Sequence, residues 1–330
     1  MPQESLLNAS STARLVTHDT EFARDVYVGL TAHQKIIPAR YLYDQVGSAL
    51  FEAITLLPEY GLTRAEQRLL ESCAVEIARR LAPVSVIVEL GSGSGQKTQQ
   101  ILEAFTRYQP EVTYFAIDVS RRSLEDCSRN LSGIRGVRAR TMQASYLDGL
   151  ASVSQQRRGD GSLLALFLGS SIGNFADEEL RPFLTGLRRN LREGDALLLG
   201  TDLVKSEDRL VRAYDDPAGV TAAFNLNLLA RINRELKGDF RIREFRHEAR
   251  WRADKNRIEM HLVARKPQFV TVARAQCRAS FEAGESIWTE ASQKFTLEIL
   301  QQVAEDCRFA QTAQWIDQDW PFAENLWVAE

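Results

Sequence analysis

The chain has 330 residues, of which 44% are hydrophobic and 26% are charged, and its formal net charge is −3. This is the composition of a soluble globular enzyme that can bury a large core without disulfides or structural metals. Basic residues are mixed with acids, which argues against a nucleic-acid-binding surface and favours a small-molecule substrate. No apolar run approaches the roughly 20 residues of a membrane span, and the N-terminus lacks a signal-peptide pattern. We expect a cytoplasmic monomer that binds neither nucleic acid nor membranes.

Cysteines and histidines are scattered along the chain. The cysteines form no CxxC pair, so neither a zinc site nor a disulfide framework is indicated, and buried reduced thiols are expected at Cys73, Cys127, Cys277 and Cys307. The histidines do not cluster either; they are His18, His33, His247 and His261. We therefore expect no metal site and no catalytic histidine.

Two helices are predicted near the N-terminus, after a flexible tail over residues 1–19. A short helix over 48–57 ends at Pro58. A long amphipathic helix follows over 63–81, and its first residues fit a capping box in which Thr63 caps the helix and Glu66 reaches back.

From residue 84 onward, strands and helices alternate. The β-branched run 84–90 is typical of a buried strand. Further strands are predicted at 112–118, 137–143, 163–169 and 195–204, and helices at 96–107, 120–131 and 177–191. This alternation predicts a doubly wound parallel sheet covered by helices on both faces.

After residue 204 the pattern changes. A helical stretch over 208–237 has a probable break at 217–219, and three alternating, strand-like stretches follow at 245–251, 257–264 and 269–279. A helix over 296–306 and two strands, 309–315 and 325–328, could complete the main sheet as an antiparallel pair. We predict an α/β fold with a cofactor-binding core (83–200 plus 294–330) and an α+β substrate-binding lobe (20–82 plus 201–293).

Three glycines follow the first core strand at alternate positions. A chain that turns sharply from strand to helix while its backbone approaches a ligand needs glycine, because a Cβ would obstruct it. The dinucleotide fingerprint G-x-G-x-x-G fits poorly, and a structural turn is the plain alternative. The run resembles the E/D-x-G-x-G-x-G loop of class I methyltransferases, which have a Rossmann-like fold and bind S-adenosylmethionine. The predicted cofactor-binding residues of this loop are Glu89, Gly91, Gly93 and Gly95.

Two charged residues near the loop support a cofactor site. Asp118 ends the next strand, where an acid can accept hydrogen bonds from ribose hydroxyls. Its alternative role is a helix N-cap, which Ser120 could supply instead. Lys97, in the first turn of the following helix, could meet the cofactor carboxylate as a point charge, although it could also be a surface lysine.

The likeness extends well beyond the cofactor loop. Its segments cover roughly residues 40–295 in the family's order: 43–44, 47–52, 57–60, 63–64, 89–98, 167–169, 172–174, 199–205, 213–216, 219–221, 258–260 and 289–292. Together they resemble the histidine Nα-methyltransferases of ergothioneine biosynthesis, which trimethylate free L-histidine to hercynine.

The resemblance implies roles at the reacting amine. Tyr43 and Tyr60 would approach the cofactor and the substrate amine. Asn174 and Tyr214 would hold the backbone groups of the amino acid, so that Tyr60, Asn174 and Tyr214 form the predicted catalytic set. Two further residues match positions close to the amine; they are Gly169 and Thr221.

The resemblance also implies an imidazole pocket. Met260 would line it, and Glu290 and Ser292 would bind the ring. The chemistry agrees, because a neutral imidazole has one donor nitrogen for a carboxylate and one acceptor nitrogen for a hydroxyl. A surface acid at a strand end is the alternative for Glu290. A site built on such polar partners rejects side chains that leave them unpaired.

The adenine contact departs from the family. Where the family has an Asp followed by an aromatic residue, this chain has the run 145–148. We expect Tyr146 to stack on the ring beside Leu147, with a contact from Asp148 as the alternative.

Methyl transfer from a sulfonium is a direct displacement that requires a deprotonated amine. No general base is evident; we expect the proton to leave to water, with Tyr60 as a relay. The alternatives are a family member that methylates another amine, such as a tryptophan derivative, a cofactor-binding module without turnover, and, more distantly, a nicotinamide dehydrogenase.

Overall fold

The computed structural model describes residues 20–157 and 159–330, so the predicted tail over 1–19 and His18 lie outside the described residues. The strands are β1 (Lys35–Ile36), β2 (Val84–Leu90), β3 (Val112–Asp118), β4 (Val137–Gln143), β5 (Ser162–Phe167), β6 (Ala196–Asp202), β7 (Phe245–Arg252), β8 (Arg257–Ala264), β9 (Gln268–Val272), β10 (Cys277–Phe281), β11 (Ser286–Gln293), β12 (Phe309–Asp317) and β13 (Phe322–Ala329).

The helices are α1 (Glu21–Thr31), α2 (Gln45–Thr55), α3 (Leu62–Leu81), α4 (Thr98–Phe105), α5 (Arg121–Leu131), α6 (Tyr146–Gln156), α7 (Asp177–Arg189), α8 (Glu207–Tyr214), α9 (Val220–Leu236) and α10 (Leu297–Asp306). Short 3₁₀ turns lie at Ala39–Leu42, Ser171–Asn174, Ile242–Glu244 and Ala273–Ala275. No helix of the described ranges has the length and apolarity needed to cross a membrane.

The central sheet has seven strands in the order β12-β13-β6-β5-β2-β3-β4. The five strands from β2 to β6 pair in parallel, and β13 and β12 extend the β6 edge in antiparallel pairs. This is the α/β, Rossmann-like sheet predicted from the alternation of strands and helices, including its antiparallel final pair. The chain leaves β2 toward β3 on one side, whereas β5 lies on the other. Ligands of open α/β sheets bind in the crevice that such a reversal opens at the carboxyl ends of the strands.

Burial explains why these segments are strands. Every residue of β6 is buried, and all residues of β2 except Ser85 are buried, as expected for parallel strands covered on both faces. At the opposite edge, β4 exposes the charged side chains of Arg138 and Arg140, which discourage pairing with another sheet.

A smaller sheet builds the other part of the molecule. Its order is β1-β11-β8-β7, with β11, β8 and β7 antiparallel, and a separate hairpin pairs β9 with β10. One prediction was wrong here. The stretch 269–279 is a hairpin rather than one strand, because a 3₁₀ turn and the left-handed Gln276 (φ 48°) reverse the chain. The strand β11 and the helix α6 were missed.

The beginning and the end of the predicted insertion lie side by side. Leu203, just after β6, bridges Phe295, just after β11. The N–H of Phe295 donates to the carbonyl of Asp202, and the N–H of Val204 donates to the carbonyl of Phe295, both at 3.0 Å. The strand β11 is therefore tied to the carboxyl end of β6, where the cofactor crevice is expected.

Helix α3 packs on both parts of the molecule. Its residue Leu70 belongs to the apolar cluster around the central sheet, whereas Leu62 and Leu69 belong to the cluster under the smaller sheet. The predicted boundary between core and lobe, between residues 82 and 83, comes just after the end of α3. This helix packs on both parts of the molecule.

Candidate active site

The glycine loop follows β2 and opens at the reversal point of the sheet. Gly91, Gly93 and Gly95 all have positive φ angles, of 76°, 52° and 71°, which favour glycine. A Cβ at Gly95 would lie 2.7 Å from the sulfur of Cys127, whereas a Cβ at Gly93 would meet nothing within 4 Å. The loop is therefore packed against α5 at one end and leaves its middle open to a ligand.

Asp118 stands beside this loop at the end of β3. Its carboxylate accepts hydrogen bonds from the N–H groups of Gly93 (3.1 Å) and Ser120 (2.8 Å). Ser120 itself caps α5 by accepting from the N–H of Ser123, so the cap does not depend on Asp118. A carboxylate with two backbone donors still has lone pairs for ribose hydroxyls.

Glu89 is buried beneath the loop. It accepts hydrogen bonds from the hydroxyls of Thr98 (2.6 Å) and Tyr114. Burial raises the pKa of Glu89 to about 7, although these two hydrogen bonds oppose the shift. The carboxyl therefore ties β2 to β3 and to the first turn of α4, and a direct contact with the cofactor stays a prediction.

A charged cluster joins the loop to α3. Lys97 pairs with Glu66, which is fully buried and also accepts a hydrogen bond from the N–H of Gly169. Glu324 lies against them, since a Cβ at Gly200 would meet carboxylate oxygens of Glu66 and Glu324 at 2.7 and 3.3 Å. Burial raises the pKa of Glu324 well above its ordinary range, Glu66 adds to this and Lys97 opposes it.

The predicted capping box of α3 was therefore wrong. The N-cap residue is Gly61, and no side chain caps the helix. Glu66 turns inward to Gly169 and Lys97 instead of back to the start of its own helix. Lys97 keeps part of its side chain exposed, so its predicted contact with the cofactor carboxylate stays open.

Tyr146, at the start of α6, lies against the glycine loop. A Cβ at Gly91 would be 3.2 Å from its ring, and the ring packs edge-on against Phe167. Leu147 contacts α7, because a Cβ at Gly186 would be 2.9 Å from its methyl group. Asp148 is exposed and accepts from the hydroxyl of Ser145, the N-cap of α6. Tyr146 thus lies at the glycine loop and Asp148 does not contact it, while the predicted contacts of Tyr146 and Leu147 with the cofactor stay predictions.

The predicted imidazole pocket lies on β11. Glu290 and Ser292 are two residues apart in a strand, so their side chains project from the same face. Met260 of β8 is the cross-strand partner of Glu290. The hydroxyl of Tyr43 donates to Glu290 at 3.2 Å, which places Tyr43 at this pocket; its contact with the cofactor stays a prediction.

Burial dominates the electrostatics of Glu290. It raises the pKa of this carboxyl to about 7, while the Tyr43 hydrogen bond and the charge of Lys294 oppose the shift. These two opposing contacts stabilise the carboxylate, which is the form of Glu290 that can accept an N–H.

Two buried tyrosines connect this pocket to the rest of the site. The hydroxyl of Tyr214 lies 2.9 Å from that of Ser292, and its ring packs edge-on against Tyr60 with centroids 5.9 Å apart. Burial raises the pKa of Tyr60 well above its ordinary value, so the phenol is neutral. Both tyrosines can position an amine but carry no charge at neutral pH.

The segment after β5 spans both halves of the site. Gly169 (φ 76°) lies beside Lys97, whose ammonium would be 4.0 Å from a Cβ at that position. The 3₁₀ turn that ends at the exposed Asn174 packs on β11, since a Cβ at Gly173 would be 2.7 Å from the carbonyl of Gln293. One short segment thus runs from the cofactor loop to the substrate pocket.

Thr221 is buried in the first turn of α9, where its N–H donates to Asp216 at 2.8 Å. Its predicted place near the amine stays a prediction.

This arrangement can be compared with known proteins. Residues 22–329 match the family of histidine-specific, S-adenosylmethionine-dependent methyltransferases. The chain belongs to this family. The histidine N-alpha-methyltransferase of Mycolicibacterium smegmatis is 41% identical over 306 residues, which are 92% of this chain and 94% of the relative. That of Mycobacterium tuberculosis is 43% identical over 273 residues, 82% and 84% of the two chains.

The name of a more distant relative gives a different amine as its substrate. The 4-dimethylallyltryptophan N-methyltransferase of Claviceps purpurea is 30% identical over 194 residues, which are 56% of each chain. The relatives of this chain therefore carry names with more than one substrate.

S-adenosylmethionine is the cofactor of this methyltransferase, and the residues present fit it. The open middle of the loop at Gly93, the carboxylate of Asp118 and the ring of Tyr146 against Gly91 lie at one end of the sheet. They offer a backbone approach, a ribose acceptor and an aromatic surface.

Sequence reasoning missed three buried charges of this methyltransferase. Glu66 was assigned to a cap, and Asp202 and Lys294 were given no role. Lys294 sits two positions beyond Ser292, so the alternation of β11 was the signal that could have found it.

Within 20–157 and 159–330, no group of three or more His, Cys, Asp or Glu is arranged to hold a metal ion. His247 and His261 are buried and hydrogen-bonded, to Asn225 and Glu259 among others.

Proposed function

We propose that this enzyme transfers methyl groups from S-adenosylmethionine to the α-amine of free L-histidine, and that three transfers give trimethylhistidine (hercynine) for ergothioneine biosynthesis. The observation that carries the proposal is the pairing of Glu290 and Ser292 on one face of β11. A carboxylate can accept from the N–H of a neutral imidazole, and a hydroxyl can donate to its other nitrogen. The names of the two mycobacterial relatives support the same substrate.

The bound cofactor supplies an electrophilic methyl group on a sulfonium. The protein's task is to bring the amine lone pair into line with it, and the gain comes from positioning. Tyr60 and Tyr214 suit this task because they are neutral hydrogen-bonding groups. A carboxylate at the amine would hold the proton that must leave. We propose that this proton leaves to water, with the hydroxyl of Tyr60 as a relay.

Three further residues complete the proposed substrate site; they are Asn174, Gly169 and Thr221. The exposed Asn174, on a turn packed against β11, suits the α-carboxylate side of the amino acid. Met260, buried opposite Glu290, gives the ring an apolar wall.

Mass spectrometry tests this function directly. The purified protein is incubated with S-adenosylmethionine and either L-histidine or L-tryptophan, and products with one, two and three added methyl groups are sought. We expect all three with histidine and none with tryptophan. Methylated tryptophan without methylated histidine would overturn the substrate assignment, and binding of both ligands without product would point to a module without turnover.

We further propose that the enzyme acts as a cytoplasmic monomer, without nucleic acid or membrane. The net charge of −3 and the four buried free cysteines support this setting. Light scattering during gel filtration should give a mass near 37.2 kDa; a mass of twice that value would contradict the monomer.

A further inference from the structure

A fully buried lysine lies behind the proposed imidazole pocket. Lys294 has no exposed surface, and its ammonium donates to the hydroxyls of Tyr214 (2.8 Å) and Ser292 (2.9 Å). It also lies 2.9 Å from a carboxylate oxygen of Asp202. Lysines are rarely buried unless they are paired, and an ammonium has three N–H donors. The ammonium of Lys294 is therefore surrounded by two hydroxyls that accept its hydrogen bonds and by one carboxylate that forms an ion pair with it.

Asp202 fixes this ammonium from the side of the central sheet. Its other oxygen accepts from Lys205 (2.7 Å) and from the indole of Trp320 (2.9 Å). Burial alone would raise the pKa of Asp202, but the charges of Lys294 and Lys205 hold it below its ordinary value. Lys294 is thus anchored to the end of β6 rather than free to follow a substrate.

These contacts determine what Ser292 can offer to a ligand. A serine hydroxyl has one donor hydrogen and two acceptor lone pairs. Lys294 donates to one lone pair, and the hydroxyl of Tyr214, whose own oxygen accepts from Lys294, donates to the other. Only the hydrogen of Ser292 remains for the pocket.

We propose that Lys294 is a positioning residue that makes Ser292 an obligate hydrogen-bond donor, so that the site selects rings with an unprotonated nitrogen at Ser292 and an N–H at Glu290. This inference rests on the proposed function and deepens it. The pocket then accepts the neutral imidazole in one orientation. An indole or a pyrrole has only an N–H and leaves the Ser292 hydrogen without an acceptor, which is costly in a buried site.

Two pyrrole analogues of histidine provide the probe. In each isomer of pyrrolylalanine, one ring nitrogen of histidine is replaced by C–H while the other N–H is retained. The measured quantity is the ratio of KM for the better isomer to KM for histidine, in the wild type and in Lys294→Met. We expect the wild-type ratio to be at least about tenfold, as the loss of one buried hydrogen bond implies. In Lys294→Met the ratio should fall toward one, because Ser292 can turn its hydrogen toward Tyr214.

Lys205→Met is the matched control. It removes the other buried lysine of Asp202, yet Lys205 contacts Asp202 and Leu203 and not the pocket hydroxyls. Its melting temperature should fall while the pyrrole-to-histidine ratio keeps its wild-type value. If both lysine variants change the ratio equally, Lys294 acts only through the fold and the inference is wrong.

A second variant covers the case in which Lys294→Met does not fold. Lys294→Gln keeps an N–H donor without the charge. Its ratio of KM for the pyrrole analogue to KM for histidine should stay closer to the wild-type value than that of Lys294→Met. In a double-mutant cycle with Ser292→Ala, the Lys294 substitution should add little to the rise in histidine KM. Full additivity, or an unchanged ratio in Lys294→Gln and Lys294→Met, would overturn the inference. Failure of the wild type itself to bind histidine would refute the proposed function instead.

Discussion

The carboxylate of Glu66 accepts a hydrogen bond from the backbone N–H of Gly169, 103 positions further along the chain. It thereby joins α3 to the end of β5, beside the cofactor loop. Glu66 also pairs with Lys97 and lies next to the buried Glu324, whose raised pKa is opposed by the charge of Lys97.

Replacement of Lys97 by methionine should destabilise the fold. It leaves Glu66 and Glu324 without a cation, and loss of one partner of a buried pair costs about 3–5 kcal/mol. Burial already raises the pKa of Glu324, and loss of Lys97 raises it further. A raised folded-state pKa gives stability that is lost as pH rises. Urea unfolding should therefore show a larger deficit at pH 8 than at pH 5.

The control for this variant is Lys97→Met combined with Glu66→Gln. Removal of one of the two acidic charges should recover a large part of the lost unfolding free energy at pH 8. A double variant no more stable than Lys97→Met would show that the two acids and the lysine do not act together.

Glu89→Gln should change how stability depends on pH. The folded-state pKa of Glu89 is about 7 because of burial, against an ordinary 4.5. The protonated carboxyl therefore contributes stability that is full below pH 4.5 and is lost as pH rises to 7. Glutamine imitates the protonated form. The free energy of unfolding of Glu89→Gln should therefore exceed that of the wild type by an amount that grows to roughly 3 kcal/mol as the pH rises from 4.5 to 7.

Chemical unfolding at intervals between pH 4.5 and 8 measures this gain. Glu103→Gln, at an exposed site of α4, controls for the loss of one carboxylate. A constant difference between Glu89→Gln and the wild type across this range would contradict the raised pKa.

Tyr146→Ala should weaken cofactor binding more than Asp148→Asn does. The tyrosine ring lies against Gly91, whereas Asp148 is exposed and bound to Ser145. Loss of an aromatic surface at a ring costs about 1–3 kcal/mol, which is roughly 5- to 150-fold in Kd. Calorimetry with S-adenosylmethionine should show this loss for Tyr146→Ala only. The reverse order would assign the adenine contact to Asp148.

Glu290→Ala should raise the KM for histidine by roughly 10- to 100-fold, because a charge-assisted hydrogen bond to the ring is lost. The KM for S-adenosylmethionine should stay the same. Glu282→Ala, an exposed acid near the other end of β11, is the control. An unchanged histidine KM in Glu290→Ala would show that the carboxylate does not bind the imidazole.

The central sheet could be predicted because its strands are short apolar runs between helices, and burial on both faces forces that pattern. The glycine loop and Asp118 could be placed for the same reason, since they follow predicted strand ends. The run β11 mixes polar and apolar residues, so no strand was predicted over 286–293 even though the family motif at 289–292 was recognised.

Long-range partners explain the remaining errors. The spacing of Thr63 and Glu66 fits a local cap, but the hydrogen bond from Gly169 and the ion pair with Lys97 hold the Glu66 carboxylate inside the molecule instead. Nothing near Lys294 in the sequence indicates Asp202, which is 92 positions earlier and reaches it only after β6 and β11 are joined. Patterns within one element cannot reveal such partners.

The bridge between Leu203 and Phe295 means that the chain departs from the cofactor sheet and returns to it at a single point. The segment between these residues leaves the sheet and returns with adjacent ends, and it includes β11, the strand on which we propose that the imidazole binds. This excursion is also held by the N-terminal segment, because β1 pairs with β11 and the side chain of Asn227 in α9 donates to Asp44. A change of substrate pocket by replacement of this excursion would therefore require a matching N-terminal segment, whereas the strands β2 to β6 could stay the same.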